Sequence, residues 1–434
     1  MINKLQGTLA HHLRGGLLAG GVLLFVSMTV VNGGNYLFNL ILGRWLGPAA
    51  FADVSLIITL LLMVRFITAA FQLTSAKFAA EHSVDEEWSR LAALRRWMGK
   101  QAWLWGGLMA LVIAGGATLW QDFFHTQSAW PFVILGVSLP LYLVQGVDRG
   151  LLQGQTHFKR LAASYQAEMW VRLIAAVILV SIGLAVNGAV FAISLSFIAT
   201  WFVARKVGKW TSVPGKMNKG AQKTVIAFAG PVVLVYLGQI LISNSDIIIV
   251  KRYFSPEAAG QYAAVALIGR IVFFATWSVV TALFPIVARK HQRGESHRNM
   301  LGLGLGVVSV ISIGIIAFTV IAPEWIINTL FGEEYVIMAP LLWIYALATA
   351  LYALANVVVN YQLSAGNSKG TWFALGAGLA QVIAIIIFHD SLQQVIVVQV
   401  VLMATLLATL LIWDLRLAQR RNYVSPSFEV SPNS

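Results

Sequence analysis

Long, unbroken apolar runs dominate the pattern of this chain. A membrane-spanning helix needs about 20 consecutive, mostly apolar residues. Twelve stretches meet that length, over residues 16–42, 51–74, 102–120, 130–147, 161–186, 189–204, 225–245, 258–288, 301–322, 336–363, 372–388 and 392–413. Short polar connectors with Gly, Pro, Asn or Asp separate most of them, as at Gly47-Pro48 and His389-Asp390. A membrane β-barrel alternates apolar and polar residues with period two; these runs are continuous. The pattern predicts an all-α polytopic membrane protein of about twelve spanning helices. The first run is longer than a signal-peptide core and carries Asn32, Asn35 and Asn39, so it is expected to be the first spanning helix.

Composition agrees. Of 434 residues, 58% are hydrophobic and 11% charged, against roughly 45–50% and 25% for soluble domains. This excludes a cytosolic enzyme, a disordered regulator and a fibrous protein. The absence of cysteine removes disulfide scaffolds, thiolate nucleophiles and Cys-ligated metals. No Walker A motif is present. Gly302 to Gly306 is glycine-rich but opens an apolar run, where close helix packing explains it.

The net charge of +13 is a matter of topology. With the N-terminus in the cytoplasm, inner segments hold 24 of the 30 Lys and Arg residues. Outer loops hold Arg44, Lys251 and Arg252, and Arg65, Arg172 and Arg270 fall inside apolar runs. Positive charge accumulates on the cytoplasmic side, so both termini are expected inside. The basic loops then meet anionic lipid, and no nucleic acid is needed to explain them. Trp45, Trp120, Trp130 and Trp325 lie near outer helix ends, and Trp103, Trp105, Trp201, Trp372 and Trp413 near inner ends, as an aromatic belt requires. Residues 81–100 read as a surface amphipathic helix, with Trp88, Leu91, Leu94 and Arg95 set against Glu86, Arg90 and Lys100.

Two segment pairs recur at nearly constant offset. Arg44-Trp45-Leu46-Gly47-Pro48-Ala49-Ala50 matches Arg252-Tyr253-Phe254-Ser255-Pro256-Glu257-Ala258 at 208, and Leu151-Leu152-Gln153-Gly154-Gln155 matches Leu363-Ser364-Ala365-Gly366-Asn367 at 212. Duplication of a six-helix lobe is expected, 1–210 and 211–434, joined by a basic linker at 205–223. An even number of helices per lobe makes this a parallel repeat, a transporter architecture.

Charged residues in a membrane are costly and face a partner or water. Arg65 and Gln72 share a face of the second helix with Thr68 and Ser75; Arg270 shares one of the eighth with Phe274, Trp277 and Thr281. These helices hold equivalent places, so the two arginines are expected to face a central cavity. Asn35 and Asn39 on the first helix, and Gln239 on the seventh, extend its polar lining. Tyr345, Thr349, Tyr352, Asn356 and Asn360 form a further stripe on the tenth helix, where core packing fits as well. On the fifth helix Glu168 and Arg172 stand four apart and can pair with each other. Asp53, Asp148 and Asp246 sit at helix ends; they can carry a coupling ion, cap a helix, or pair with Arg149 or Arg252. Arginine's donor fork fits phosphate, which makes Arg65, Arg270 and Arg172 candidates for an anionic headgroup.

Arg44 through Phe51 resembles the R-x-L-G-P-x-x-[FY] turn of polysaccharide-export flippases. Asp246 through Gly260, Arg149 through Phe158, and Leu330 through Tyr335 resemble further connections of the same family, in the same order. The resemblance is to the Wzx-like branch of the multidrug/oligosaccharidyl-lipid/polysaccharide (MOP) exporter superfamily. It implies two six-helix lobes, a multi-pass protein of the bacterial cytoplasmic membrane, and a flippase that carries polyprenyl-pyrophosphate-linked oligosaccharide to the outer leaflet by alternating access. It also implies that arginines of helices two and eight, here Arg65 and Arg270, contact the headgroup. Expected partners are the lipid-linked oligosaccharide, anionic lipid, a polysaccharide polymerase and other assembly proteins. No cofactor or metal is expected; coupling to H+ or Na+ through Asp53, Asp246 or Glu168 is the alternative to a purely structural role. Two other functions stay open: a MATE-like drug or cation antiporter, which wants acidic residues inside its lobes, and a membrane-embedded glycosyltransferase or polymerase, which wants a large outer catalytic loop.

Overall fold

The computed structural model describes residues 2–84, 87–205, 213, 215–293, 295–367 and 369–423. Among these the regular structure is helical. The order is α1 (Ile2–Val84), α2 (Trp88–Gly115), α3 (Ala117–Phe124), α4 (Trp130–Gly154), α5 (Phe158–Leu179), a π segment (Val180–Leu184), α6 (Ala185–Ala204), α7 (Lys219–Tyr253), α8 (Pro256–Gly269), α9 (Ile271–Gln292), α10 (Arg298–Ile321), α11 (Pro323–Leu330), a 3-10 segment (Glu333–Met338), α12 (Ala339–Ser364), α13 (Lys369–Ile387) and α14 (Leu392–Tyr423). Nine of the described helices are long and apolar enough to cross a membrane, or ten if α2 and α3, bent by 58°, form one broken span.

Two of the nine exceed a single crossing. Ala19–Ser83 has 65 residues and Phe158–Ala204 has 47, so at 1.5 Å per residue they rise about 100 and 70 Å against a bilayer core near 30 Å. Each is interrupted. Gly47 has φ 71° and ψ 171°, ahead of Pro48, which lacks an amide to donate. Gly183 has φ 90° inside the π segment. Only glycine adopts such backbone without strain, and the chain turns at both places.

Contacts divide the chain into two compact units. One holds Met1–Ile240, Val250–Ala263 and Leu330–Glu334; the other holds Leu241–Ile249, Ala264–Thr329 and Tyr335–Ser434. In the second unit α12 is the core helix. Its Tyr352, Val357 and Val358 pack with Val308 of α10 and Met403, Leu406 and Leu410 of α14. The outward apolar face of α10, with Ile313 and Ile321 exposed, is a surface for lipid tails.

In the first unit a glycine stripe sets the packing of α4 on the second half of α1. A Cβ at Gly146 would stand 2.7 Å from Thr68, one at Gly150 would stand 2.3 Å from the Gln72 carbonyl oxygen, and one at Gly154 would stand 2.3 Å from that of Ala76. The residues climb α4 four at a time, the small-xxx-small spacing that lets helix backbones approach in a membrane.

The two segments that match at an offset of 212 also end their helices alike. At the end of α4 the Thr156 amide donates to Gln153 and the His157 amide to Leu152. At the end of α12 the Gly366 amide donates to Leu363 and the Asn367 amide to Gln362. Both are Schellman caps, with left-handed Thr156 (φ 58°) and Gly366 (φ 75°) at equivalent places.

Some expectations change. Residues 88–100 are no separate surface helix: they are the first turns of α2, with Leu91 and Leu94 fully buried. Glu86 and most of the 205–223 linker (206–212 and 214) lie outside the described residues, as do the side chains of Trp277 and Thr281. The apolar run 258–288 is two helices, α8 and α9, meeting at Arg270.

Candidate functional site: a cationic cluster in the first unit

The glycine stripe brings the polar face of α1 against α4. Gln72 Nε2 donates to Gln153 Oε1 (3.0 Å) on α4 and to Tyr165 Oη (2.8 Å) on α5. The Tyr165 ring carries the Arg149 guanidinium, 4.0 Å from its centre, a cation–π contact favoured where water is scarce. Arg149 is fixed on three sides. Its Nε donates to Ser164 Oγ (3.1 Å), its Nη2 to the Ser164 carbonyl (2.9 Å), and its Nη1 pairs with Glu168 (2.8 Å). Glu168 also pairs with Arg172 one turn along α5, and Arg172 Nη1 donates to Asn35 Oδ1 (3.2 Å) on the first half of α1. Glu168 lies ten residues into α5, about 15 Å along its axis, near the middle of that helix.

Charge does not balance here. The cations that act on Glu168 are Arg65, Arg149 and Arg172, and they face one carboxylate. Arg65 projects from α1 as an exposed side chain with no hydrogen bond or ion pair to a described residue. Arg172 Nε is buried with no acceptor among the described residues. A buried donor without a partner costs about 1–3 kcal/mol. Both features are answered by one more anion.

The remaining candidates fall elsewhere. Asn39 donates to the Asn35 carbonyl of its own helix (2.8 Å), and Gln239, half-buried on α7, meets no described polar partner. Asp53 pairs with Lys251 at 2.7 Å, both nearly sealed from solvent, and accepts from the Gln127 amide at 3.1 Å. Asp148 pairs with Arg95 at 3.0 Å. In the second unit Asp246 pairs with Arg270 (3.3 Å) and accepts from Tyr345 Oη (2.8 Å). Asp148 therefore takes Arg95 and not Arg149, and Asp53 takes Lys251 and not Arg252. Arg252 instead lies 2.6 Å from His125 and stacks on Phe123.

Arg149 and Lys251 are the residues that charge counting misplaces. Hydropathy and charge alone place Lys251 in an outer loop and Arg149 in the connector after the fourth apolar run. They are buried within α4 and α7, 6% and 2% exposed, because each finds a carboxylate on a neighbouring helix. The glycine spacing on α4 was the available signal that this helix is enclosed to its last turn.

A family model described as polysaccharide biosynthesis protein matches residues 17–291. The chain belongs to this family. No curated protein matches it. Among solved structures it is similar to an inward-facing multidrug resistance MATE family transporter of the MOP superfamily, at TM-score 0.77 and 13% identity over 90% of this chain and 96% of that one. An outward-facing structure of such a transporter gives TM-score 0.66 at 14% identity over 93% and 96%, and a MATE in the bent conformation 0.61 at 14% over 94% and 96%. At these identities the likeness establishes the MATE-like fold. The chain is thus a member of the polysaccharide biosynthesis family with a MATE-like fold, and its nine or ten long apolar helices among the described residues make it a multi-pass membrane protein.

Proposed function

We propose that this family member is a flippase for polyprenyl-diphosphate-linked oligosaccharide in the bacterial cytoplasmic membrane, working by alternating access. Divided at Gly47 and at the π segment, the ten spans become twelve, in lobes 1–210 and 211–434 with both termini inside. The observation that carries the reading is the surplus of guanidinium over carboxylate in this cluster, where neither Arg65 nor Arg172 Nε has a hydrogen-bond partner among the described residues. A diphosphate diester carries one negative charge per phosphorus, two in all, against the three guanidinium groups of the cluster. Arginine forks bind it bidentately, while Asn35, Gln72 and Gln153 offer polar groups on the same faces.

A drug or cation antiporter of this fold would bind its cargo on a free carboxylate. Asp53, Asp148, Glu168 and Asp246 each already hold a cation, which favours the anionic cargo. The test uses liposomes with a fluorescent polyprenyl-diphosphate oligosaccharide, followed into the outer leaflet. Wild type moves it; Arg65→Ala inserts normally and loses at least about tenfold in rate, the worth of one charged hydrogen bond. Full activity in Arg65→Ala discards the site. No movement by wild type, with drug efflux instead, establishes the antiporter.

A further inference from the structure

Resting on that reading, we infer that Glu168 is an internal stand-in for the substrate headgroup: in the empty protein its carboxylate occupies the guanidinium positions that the diphosphate takes when it binds, and binding displaces it. Glu168 grips Arg149 with one oxygen and Arg172 with the other. Two oxygens spanning two forks is the arrangement a phosphate would adopt. Each arginine is also held independently of Glu168, Arg149 by Ser164 and Tyr165 and Arg172 by Asn35. The forks therefore keep their places when the carboxylate leaves. Glu168 has no comparable second anchor: among the described residues its partners are the two arginines. The fixed partners are the cations, and the movable one is the anion.

Such a stand-in solves a physical difficulty of an anion site inside a membrane. Three uncompensated guanidinium groups in this cluster would repel one another and strongly oppose burial. Glu168 lowers the resting excess to two, and Arg65, exposed, remains open for first contact with the headgroup. The charged and titratable groups around Glu168 are Arg65 from α1, Tyr142 and Arg149 from α4, and Tyr165 and Arg172 from α5. α6, also packed on α5, carries no ionisable residue. Among the described residues, no other anion on these faces competes with the incoming diphosphate for the two forks.

The test measures equilibrium binding of a short polyprenyl diphosphate to the full-length protein in detergent, with the matching polyprenyl alcohol as the control for the tail. Glu168→Gln removes the competing charge and is expected to tighten diphosphate binding at least about tenfold, with alcohol binding unchanged. It is also expected to slow release, so that flipping falls while affinity rises. Binding that is weaker than or equal to wild type in a folded Glu168→Gln overturns the inference and makes Glu168 a positioning residue. If Glu168→Gln does not fold, Glu168→Asp, whose shorter arm cannot span both arginines, is expected to tighten binding by a smaller factor; equal or weaker binding overturns the inference equally. Arg172→Gln separates the two levels. If it binds diphosphate as wild type does, the headgroup site itself fails, and the stand-in with it. If it loses binding while Glu168→Gln gains none, the site stands and only the stand-in fails.

Discussion

The approach of α1 to α4 can be tested with a single methyl group. In Gly150→Ala the new Cβ would stand 2.3 Å from the Gln72 carbonyl oxygen and 2.7 Å from Ser75 Cβ, where ordinary contact begins at 3.4 Å. The obstacle is helix backbone, which cannot rotate aside, so the helices must part by about 1 Å. Overpacking of this kind costs roughly 1–3 kcal/mol. Against it, alanine is favoured over glycine inside a helix by about 1 kcal/mol. Gly107→Ala isolates that second effect, because nothing lies within 4 Å of its added Cβ. The two substitutions are chemically identical and should have opposite signs. Thermal unfolding of both variants in the same detergent is the assay, with the flipping rate measured alongside. Gly150→Ala should melt lower than wild type and lose transport, because Gln72 follows the α1 backbone and its 3.0 Å bond to Gln153 is broken. Gly107→Ala should melt at or above wild type and transport normally. Equal melting and equal transport in the two would refute the close packing on which the site is built.

Three further outcomes are expected. Asp53→Asn leaves Lys251 buried without its counter-charge and should lower stability by about 3–5 kcal/mol, while Asp53→Leu with Lys251→Met should recover most of it; denaturant titration of the single and double variants checks this. Thr156→Gly relieves a left-handed threonine (φ 58°) and should stabilise by about 1 kcal/mol, whereas Gly366→Thr at the matching cap should destabilise by a similar amount, both read by melting. Tyr345→Phe removes the 2.8 Å hydrogen bond to Asp246 and should cost about 1–3 kcal/mol of stability, read by thermal unfolding.

Much of the fold was legible because lipid imposes a simple rule: a span must be long and apolar. Residues 16–42 and 51–74 were separated correctly at Gly47-Pro48, where the backbone does turn. The likeness between Arg44 and Arg252 is visible because each is followed by an aromatic residue, Trp45 or Tyr253, and then by a proline. The candidate site was only half legible. Glu168 and Arg172 announce each other by their spacing of four on one helix. Arg149 does not, since its partners Ser164 and Glu168 come from another helix and nothing local distinguishes a buried arginine from a loop arginine. The same holds for Lys251 with Asp53 and for Arg95 with Asp148. Pairings between helices follow from packing, and packing here was set by glycines whose role appears only once the facing backbone is known. The matching arginines of the two halves also differ in surroundings. Arg270 has Asp246 beside it, whereas the first half carries Asn35 and Asn39 on its equivalent helix and leaves Arg65 exposed.

The central claim is that the arginine cluster recognises the charged link between lipid and glycan. The most direct measurement compares, in one liposome preparation, two fluorescent lipids with the same polyprenyl chain and the same oligosaccharide, one joined by diphosphate and the other by a neutral ether. The account predicts that wild type moves the diphosphate lipid and leaves the ether lipid where it is, and that Arg65→Ala moves neither. Equal movement of both lipids, or undiminished movement of the diphosphate lipid by Arg65→Ala, would contradict it.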